Sequence, residues 1–337
     1  MVELERYRTM TENPYKKLAE AFEDYFAALV KQLPQHPKNL YQPATYFLGL
    51  DAKRIRPLLT LIAADCFGAK IIKALPAAAA VELFHNFSLI HDDIMDNAPL
   101  RRGKQTVHEK WNKNIAILSG DVLLVKAYQE LAKCKKETSI QLQSVFSNTA
   151  IGLCEGQQLD MDFETRTQVS IDEYMEMIRL KTAVLLGSSM QMGAICAKAS
   201  KDDAELFYRA GEKLGVAFQL TDDYLDVFGA TEKVGKQVGG DIIANKKTWL
   251  LLKALETSKA SQKKELQSQI TKKQFNPKEK IVAVKEIFIS LNLNSHLQKQ
   301  IDSYYHQAIK LLQTSSASNK KVEAFGLFAQ NLMQRVK

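Results

Sequence analysis

Two short acidic runs hold the most specific chemistry in this chain. Asp92-Asp93-Ile94-Met95-Asp96 and Asp222-Asp223-Tyr224-Leu225-Asp226 share the pattern DDxxD. If Asp takes a quarter of the charged residues, one such pattern arises by chance in about 7% of chains of this length, and two in well under 1%. On a helix the first and third aspartates lie about 40° apart and share a face. Three carboxylates within one turn repel one another, and near a helix C-terminus the dipole disfavours them further. Exposed acidic helix ends leave that double penalty unexplained, whereas divalent cations remove it. Magnesium takes one or two carboxylates, keeps waters and completes its octahedron with phosphate oxygens.

Basic residues accompany both runs. Lys53-Arg54-Ile55-Arg56-Pro57 precedes the first, and Arg101-Arg102-Gly103-Lys104 follows it. Lys181-Thr182 lies between the two, and Lys236 and Lys246 follow the second. Acidic metal sites flanked by Arg and Lys suit a magnesium diphosphate, with cations binding the charge the metal leaves over. Any one of these residues reads first as a surface charge. Lys181 is the exception, because a lysine among Leu180, Ala183, Val184 and Leu185 is costly to bury without an anion.

The elements that must position these groups are helical. The 337 residues carry 46% hydrophobic and 25% charged residues with 15 Gly and 8 Pro, which excludes wholesale disorder and allows long helices. Pro76 opens a helix that runs to about Asp96 and is stopped by Pro99; nearly all of it is apolar, so it is expected to be central. Ser170 with Glu173 caps a second helix, to about Lys198. A third follows Ser200, where Asp203 closes the box, and ends at Gly229. Gly211 and Gly215 inside it imply close packing against a neighbour. Further helices are expected at 13–33, 55–66, 116–133, 140–163, 246–258 and 296–315, with loops at 97–108 and 229–245. No strand series and no linker is visible, so the expectation is one all-α domain over 1–337.

The remaining composition bounds the setting. No apolar run reaches the roughly 18 residues of a membrane helix, and the charged start lacks a signal-peptide core, so no integral membrane association and a cytoplasmic location are expected. Cys66, Cys134, Cys154 and Cys196 form no CxxC pair and read as reduced, buried small hydrophobes. The net charge is +8, but the lysine pairs of the last third alternate with polar residues like a solvated face, and no nucleic-acid partner is implied.

The order Lys53-x-x-Arg56-Pro57, His85, Asp92-Asp93-x-x-Asp96 with Arg101-Arg102, Lys181-Thr182, Phe218-Gln219, Asp222-Asp223-x-x-Asp226, Gly235-Lys236, and Asp241 before Lys246 resembles the trans-isoprenyl diphosphate synthases, or polyprenyl synthetases. The resemblance covers roughly 45–250. It implies an all-α isoprenoid synthase fold, a helical bundle around a deep central cavity, and usually a homodimer. It makes Asp92, Asp96 and Asp222 the principal Mg²⁺ ligands, supported by Asp93, Asp223 and Asp226. About three magnesium ions per active site are implied, with Mn²⁺ a possible substitute. Arg101, Lys181, Lys236 and Lys246 resemble holders of the allylic diphosphate, with Thr182, Phe218 and Gln219 near its reacting end. Lys53, Arg56, His85 and Arg102 resemble the isopentenyl diphosphate site. His85 lies only about 20° from Asp92 on a helical wheel, so both can face one way.

The implied reaction condenses isopentenyl diphosphate head-to-tail with an allylic diphosphate and releases diphosphate. Phe84, Phe87 and Ser88 are the implied chain-length residues. Phe84 and Phe87 lie about 80° and 140° from Asp92 on the wheel, so the case for Phe87 rests on the resemblance. An aromatic there, small Ser88 and the short first motif point to a C20 product, geranylgeranyl diphosphate, with C15 farnesyl diphosphate as the alternative. Asp51-Ala52 departs from the usual Gly before the Lys-Arg segment. A terpene cyclase of the same fold usually lacks the second DDxxD and the Lys-x-x-Arg-Pro segment. A ferritin-like di-metal oxidase needs two Glu-x-x-His helices, and Glu82 with His85 supplies one. A helical scaffold would show a repeat, and none is visible.

Overall fold

The computed structural model describes residues 15–229 and 239–334. Gly235 and Lys236, and the two chain ends, lie outside the described residues. Helices α1 (Lys16–Lys31), α2 (Lys38–Leu48) and α3 (Ile55–Cys66) lead to α4 (Leu75–Met95). A two-stranded ribbon, β1 (Leu100–Arg101) and β2 (Lys104–Gln105), and the short α5 (Val107–Lys110) connect α4 to α6 (Lys113–Ala132). Then come α7 (Lys136–Thr165), α8 (Ile171–Ile178), a π-helical turn (Arg179–Ala183), α9 (Val184–Cys196) and α10 (Lys201–Phe228). The rest is α11 (Gly240–Ile243), α12 (Trp249–Thr257), α13 (Ala260–Thr271), α14 (Pro277–Ser290), α15 (Leu293–Gln313) and α16 (Asn319–Gln334). The fold is all-α, as its periodicity predicts.

The chain divides into two compact units. One comprises Met1–Asn148, Ser188–Tyr208 and Ser315–Ala324; the other comprises Thr149–Gly187, Arg209–Thr314 and Phe325–Lys337. In the first unit α4 is central. Pro76 sits in its first turn, and Ala77 to Val81, Leu83 and Phe84 are wholly buried. Neighbouring α6 approaches so closely at Gly120 that a Cβ there would lie 2.4 Å from His91 Nε2. In the second unit Tyr174, Met177, Ala217, Leu220, Trp249 and Phe288 belong to one apolar core.

Both predicted caps form. Ser170 and Glu173 make a reciprocal box, while Ser200 Oγ accepts the Asp203 N–H at 3.0 Å. The close packing expected of Gly215 is present, since a Cβ there would lie 2.5 Å from Ala183 Cα.

Three sequence expectations need correction. The 97–108 stretch contains a hairpin whose turn residues Arg102 and Gly103 both have positive φ, at 53° and 73°. Arg-Gly is a weak hairpin signal beside Asn-Gly, and two-residue strands show no alternation. Helices α2, α13, α14 and α16 were not expected, nor were the one-turn helices α5 and α11, the second inside the expected 229–245 loop. Pro43 lies inside α2, which disguises its pattern; Asn276 and Pro277 at the start of α14 form a legible start signal, with Asn276 Oδ1 accepting the Lys278 N–H at 3.0 Å. Finally, Cys66 and Cys196 are buried, but Cys134 is half-buried and Cys154 exposed. Among the described residues no helix is long and apolar enough to cross a membrane.

Candidate active site

In the first unit the site is built on the C-terminal half of α4. Asp92 and Asp93 occupy its last turn and Asp96 is its C-cap. The ribbon returns Arg101 to them. Arg101 Nε donates to Asp93 Oδ1 at 2.7 Å, and Nη2 lies 2.6 Å from the same oxygen and 3.5 Å from Asp92 Oδ2. Asp93 is buried, and burial pushes its carboxyl above the usual range while Arg101 pulls it down. Its Oδ2 is buried with no hydrogen-bond partner among the described residues. Asp92 is half-buried and Asp96 exposed.

Two turns earlier on α4, His85 Nε2 stands 3.0 Å from Arg56 Nη1. Burial, then Arg56, Arg102, Arg101 and Arg54, hold its imidazole well below its ordinary value. The ring is therefore neutral, and Nε2 accepts the Arg56 N–H. Arg102 Nη1 donates to Leu50 O at 3.4 Å, and Lys53 is exposed on the loop before α3. Arg56, His85 and Arg102 are thus brought together as one electropositive group, and the strain that holds it lies next door. Arg54, at φ 48°, donates to Leu48 O at 2.8 Å, pairs with buried Glu82, and lies 4.8 Å over the Phe26 ring. Glu82 also accepts Asn86 Nδ2 at 2.9 Å. Sequence reasoning saw in Glu82 only half of an oxidase motif; a buried glutamate one turn before His85, with an arginine inside the Lys-x-x-Arg segment, was the available signal.

Phe84 is wholly buried against Phe146, ring centroids 5.1 Å apart, so it is core. Phe87 is half-buried beside Phe84 and His91, at 5.6 and 4.6 Å. Ser88 Oγ donates to His85 O at 2.9 Å.

In the second unit the last two turns of α10 carry the other aspartates. Asp222 is exposed. Asp223 is buried, takes a hydrogen bond from the Tyr174 hydroxyl, and accepts Gln219 Nε2 at 3.3 Å. Burial pushes its carboxyl up to about 7, with the nearby charge of Asp241 adding to the rise and the Tyr174 and Gln219 hydrogen bonds opposing it. Thr182 Oγ1 donates to Gln219 Oε1 at 3.1 Å, which links Thr182, Gln219, Asp223 and Tyr174 in one chain. Asp226 Oδ2 accepts the Asp241 N–H at 3.1 Å. Lys246 and half-buried Phe218 complete the described predicted residues of this unit.

Lys181 and Thr182 sit in the π turn. Two glycines allow neighbours to reach that turn: a Cβ at Gly156 would lie 2.3 Å from Lys181 N, and the approach at Gly215 meets Ala183. The anion that Lys181 requires is supplied within the chain, because Nζ lies 2.5 Å from Asp160 Oδ2. Asp160 and Tyr174 were missed by sequence reasoning. Asp160 lies on α7, 21 residues before the Lys181 it pairs with, and Tyr174 lies on α8, 49 residues before the Asp223 it holds.

Among the described residues no three carboxylate, imidazole or thiol side chains form a group that could hold a metal ion. Magnesium does not need one, since it takes one or two carboxylates and fills its shell with water and phosphate. Half-buried Asp92 with the unpartnered Oδ2 of Asp93, and exposed Asp222, fit that requirement.

The polyprenyl synthetase family model matches residues 37–288. The chain belongs to that family. It is 36% identical over 329 residues to a geranylgeranyl diphosphate synthase of Sulfolobus acidocaldarius, covering 94% of this chain and 99% of that one. It is 42% identical over 233 residues to a geranylgeranyl diphosphate synthase of Methanosarcina mazei, covering 68% of this chain and 72% of that one. A crystal structure of a geranylgeranyl pyrophosphate synthase superposes with a TM-score of 0.91 at 44% identity, covering 96% of this chain and 99% of that one. The isoprenoid synthase fold expected from the motifs is therefore the fold of this polyprenyl synthetase.

Proposed function

We propose that this polyprenyl synthetase, acting as one synthase domain over its length, joins isopentenyl diphosphate head-to-tail to an allylic diphosphate and makes geranylgeranyl diphosphate. The observation that carries the reading is α4 itself. It bears an electropositive group, His85 with Arg56 and Arg102, two turns before a carboxylate cluster partly neutralised by Arg101. One helix thus offers a seat for a bare diphosphate and a seat for a metal-bound one. The similar proteins named geranylgeranyl synthases and half-buried Phe87 support the C20 product.

Asp92, Asp93, Asp96, Asp222, Asp223 and Asp226 would hold Mg²⁺, which when bound draws charge from the leaving diphosphate. Arg101, Lys181 and Lys246 bind the allylic diphosphate through charge-assisted contacts and stabilise charge as its C–O bond breaks. Lys53, Arg56, His85 and Arg102 hold isopentenyl diphosphate, so that its double bond forms the new C–C bond at the freed allylic carbon. Neutral His85 contributes a lone pair that orients Arg56. A proton then leaves the isopentenyl unit for the released diphosphate. Apolar residues exclude the water that would trap the cation.

The enzyme is read as a homodimer of the cytoplasm. Ile117, Leu118 and Val125 form an exposed apolar stripe on α6, which suits a second copy, and four free thiols suit a reducing compartment. The test is product chromatography after incubation with labelled isopentenyl diphosphate and each allylic primer. A C20 product is expected, and Phe87→Ala should lengthen it. Diphosphate release without isopentenyl diphosphate would instead mark a cyclase.

A further inference from the structure

Lys280, on α14, is 2% exposed. An ammonium in such a place is expensive unless every donor is used. Its Nζ donates to Asn245 Oδ1 at 2.6 Å and to Ile243 O at 3.2 Å, and it lies 4.3 Å over the Phe275 ring. Both hydrogen-bond acceptors are neutral, so the contact does not cancel an aspartate's charge. Asn245 is itself unusual: it has φ 53° and donates Nδ2 to Ile270 O at 3.1 Å.

The segment gripped in this way is the one that closes on the second aspartate cluster. Gly239 N donates to Asp226 O at 2.6 Å, Asp241 N to Asp226 Oδ2 at 3.1 Å, and Lys246 N to Asp241 O at 2.9 Å. Its other end is fixed by the next residue of α14. Gly239, at φ 84°, lies so near Ile281 that a Cβ would sit 2.7 Å from Ile281 Cδ1. Two successive residues, Lys280 and Ile281, thus clamp both ends of 239–246. A side chain with only a filling role here would be apolar, since replacing a buried charge by a hydrophobic residue of similar size is often neutral or stabilising.

We propose that Lys280 is a positioning residue for the second diphosphate-binding cluster: it fixes the segment that holds Asp241 on Asp226 and carries Lys246. The proposal rests on the function proposed above. Lys280 acts through the backbone of Ile243 and the side chain of Asn245.

The test is Lys280→Met, with Asn245→Ala as a second variant that removes the acceptor instead. In metal-free protein, hydrogen exchange at the amides of 241–246 should quicken about tenfold or more, while the amides of α10 keep wild-type protection. In turnover, KM for the allylic diphosphate should rise about 10- to 100-fold and KM for isopentenyl diphosphate stay unchanged. Wild-type exchange in 241–246 for both variants, or an equal rise of both KM values, would overturn the proposal. Failure of the unmodified enzyme to condense its substrates would strike the proposed function alone, because exchange is read without metal or substrate.

Discussion

At the first aspartate cluster the middle carboxylate, Asp93, meets a guanidinium; at the second, Asp223 meets a phenol and an amide. The pattern DDxxD is shared, yet one middle aspartate is neutralised by charge and the other held by neutral donors. An ion pair cancels a unit of repulsion within the turn, whereas Tyr174 and Gln219 bring hydrogen bonds but no compensating charge. Burial raises both carboxyls; Arg101 pulls Asp93 back down, while at Asp223 the charge of Asp241 adds to burial and the carboxyl is pushed up to about 7. One outer aspartate of each cluster is exposed, Asp96 in the first and Asp222 in the second. In each case the middle residue is buried and anchored, and one outer residue is held as well, Asp92 beside Arg101 and Asp226 by the Asp241 N–H.

The largest expected effect breaks both clusters together. Chelation should abolish turnover, and Mg²⁺ or Mn²⁺ should restore it. Asp92→Ala and Asp222→Ala should each lower kcat/KM at least about a hundredfold with circular dichroism unchanged. Full activity in excess chelator would end the metal mechanism for both.

The next contrast separates the two anchors. Arg101→Met strands a buried carboxylate and should cost about 3–5 kcal/mol in urea unfolding. Tyr174→Phe removes one hydrogen bond from a buried acceptor and should cost about 1–3 kcal/mol. Equal losses would mean that charge compensation is not what distinguishes the clusters.

Smaller effects divide the substrates. Arg56→Ala should weaken isopentenyl diphosphate, and Lys181→Ala the allylic diphosphate, each by about 1.5–3 kcal/mol or roughly 10- to 100-fold. Titration of each substrate against each variant checks this, and a uniform loss would merge the two subsites.

The smallest effect lies away from both. Asp203 accepts the Ser316 N–H at 2.8 Å and hydroxyl at 2.6 Å. Burial raises its carboxyl, but these bonds and the one from Ser200 outweigh it and hold the group below its ordinary value. A depressed folded-state value means that the contribution is present above the unfolded pKa of about 3.9 and is lost as pH falls through the folded one. Asp203→Ala should therefore cost about 0.5–2 kcal/mol at pH 7 and progressively less in acid, as read by denaturation across pH.

What was legible in the sequence was what works locally. Helix α4, the capping boxes, the tight approach at Gly215 and both aspartate runs rest on spacings within a few turns. Lys181 shows the limit: its apolar neighbours announced a need for an anion, but Asp160 lies 21 residues away on another helix. Tyr174 and Asp223 are 49 apart, so the anchor of the second cluster left no local trace. Arg101 lies only eight residues after Asp93, but the hairpin that returns it was hidden by its two-residue strands.

The π turn at Arg179–Ala183 carries one residue more than an α-helical turn would. Deleting a single residue there would let α8 and α9 run on as one regular helix, with better backbone geometry than the native chain. It would also rotate Lys181 and Thr182 by about 100° relative to one flank, away from Asp160 and Gln219. The chain thus keeps a less regular helix where regularity would turn Lys181 and Thr182 away from their partners, and single-residue length variation across 179–183 should break both contacts at once.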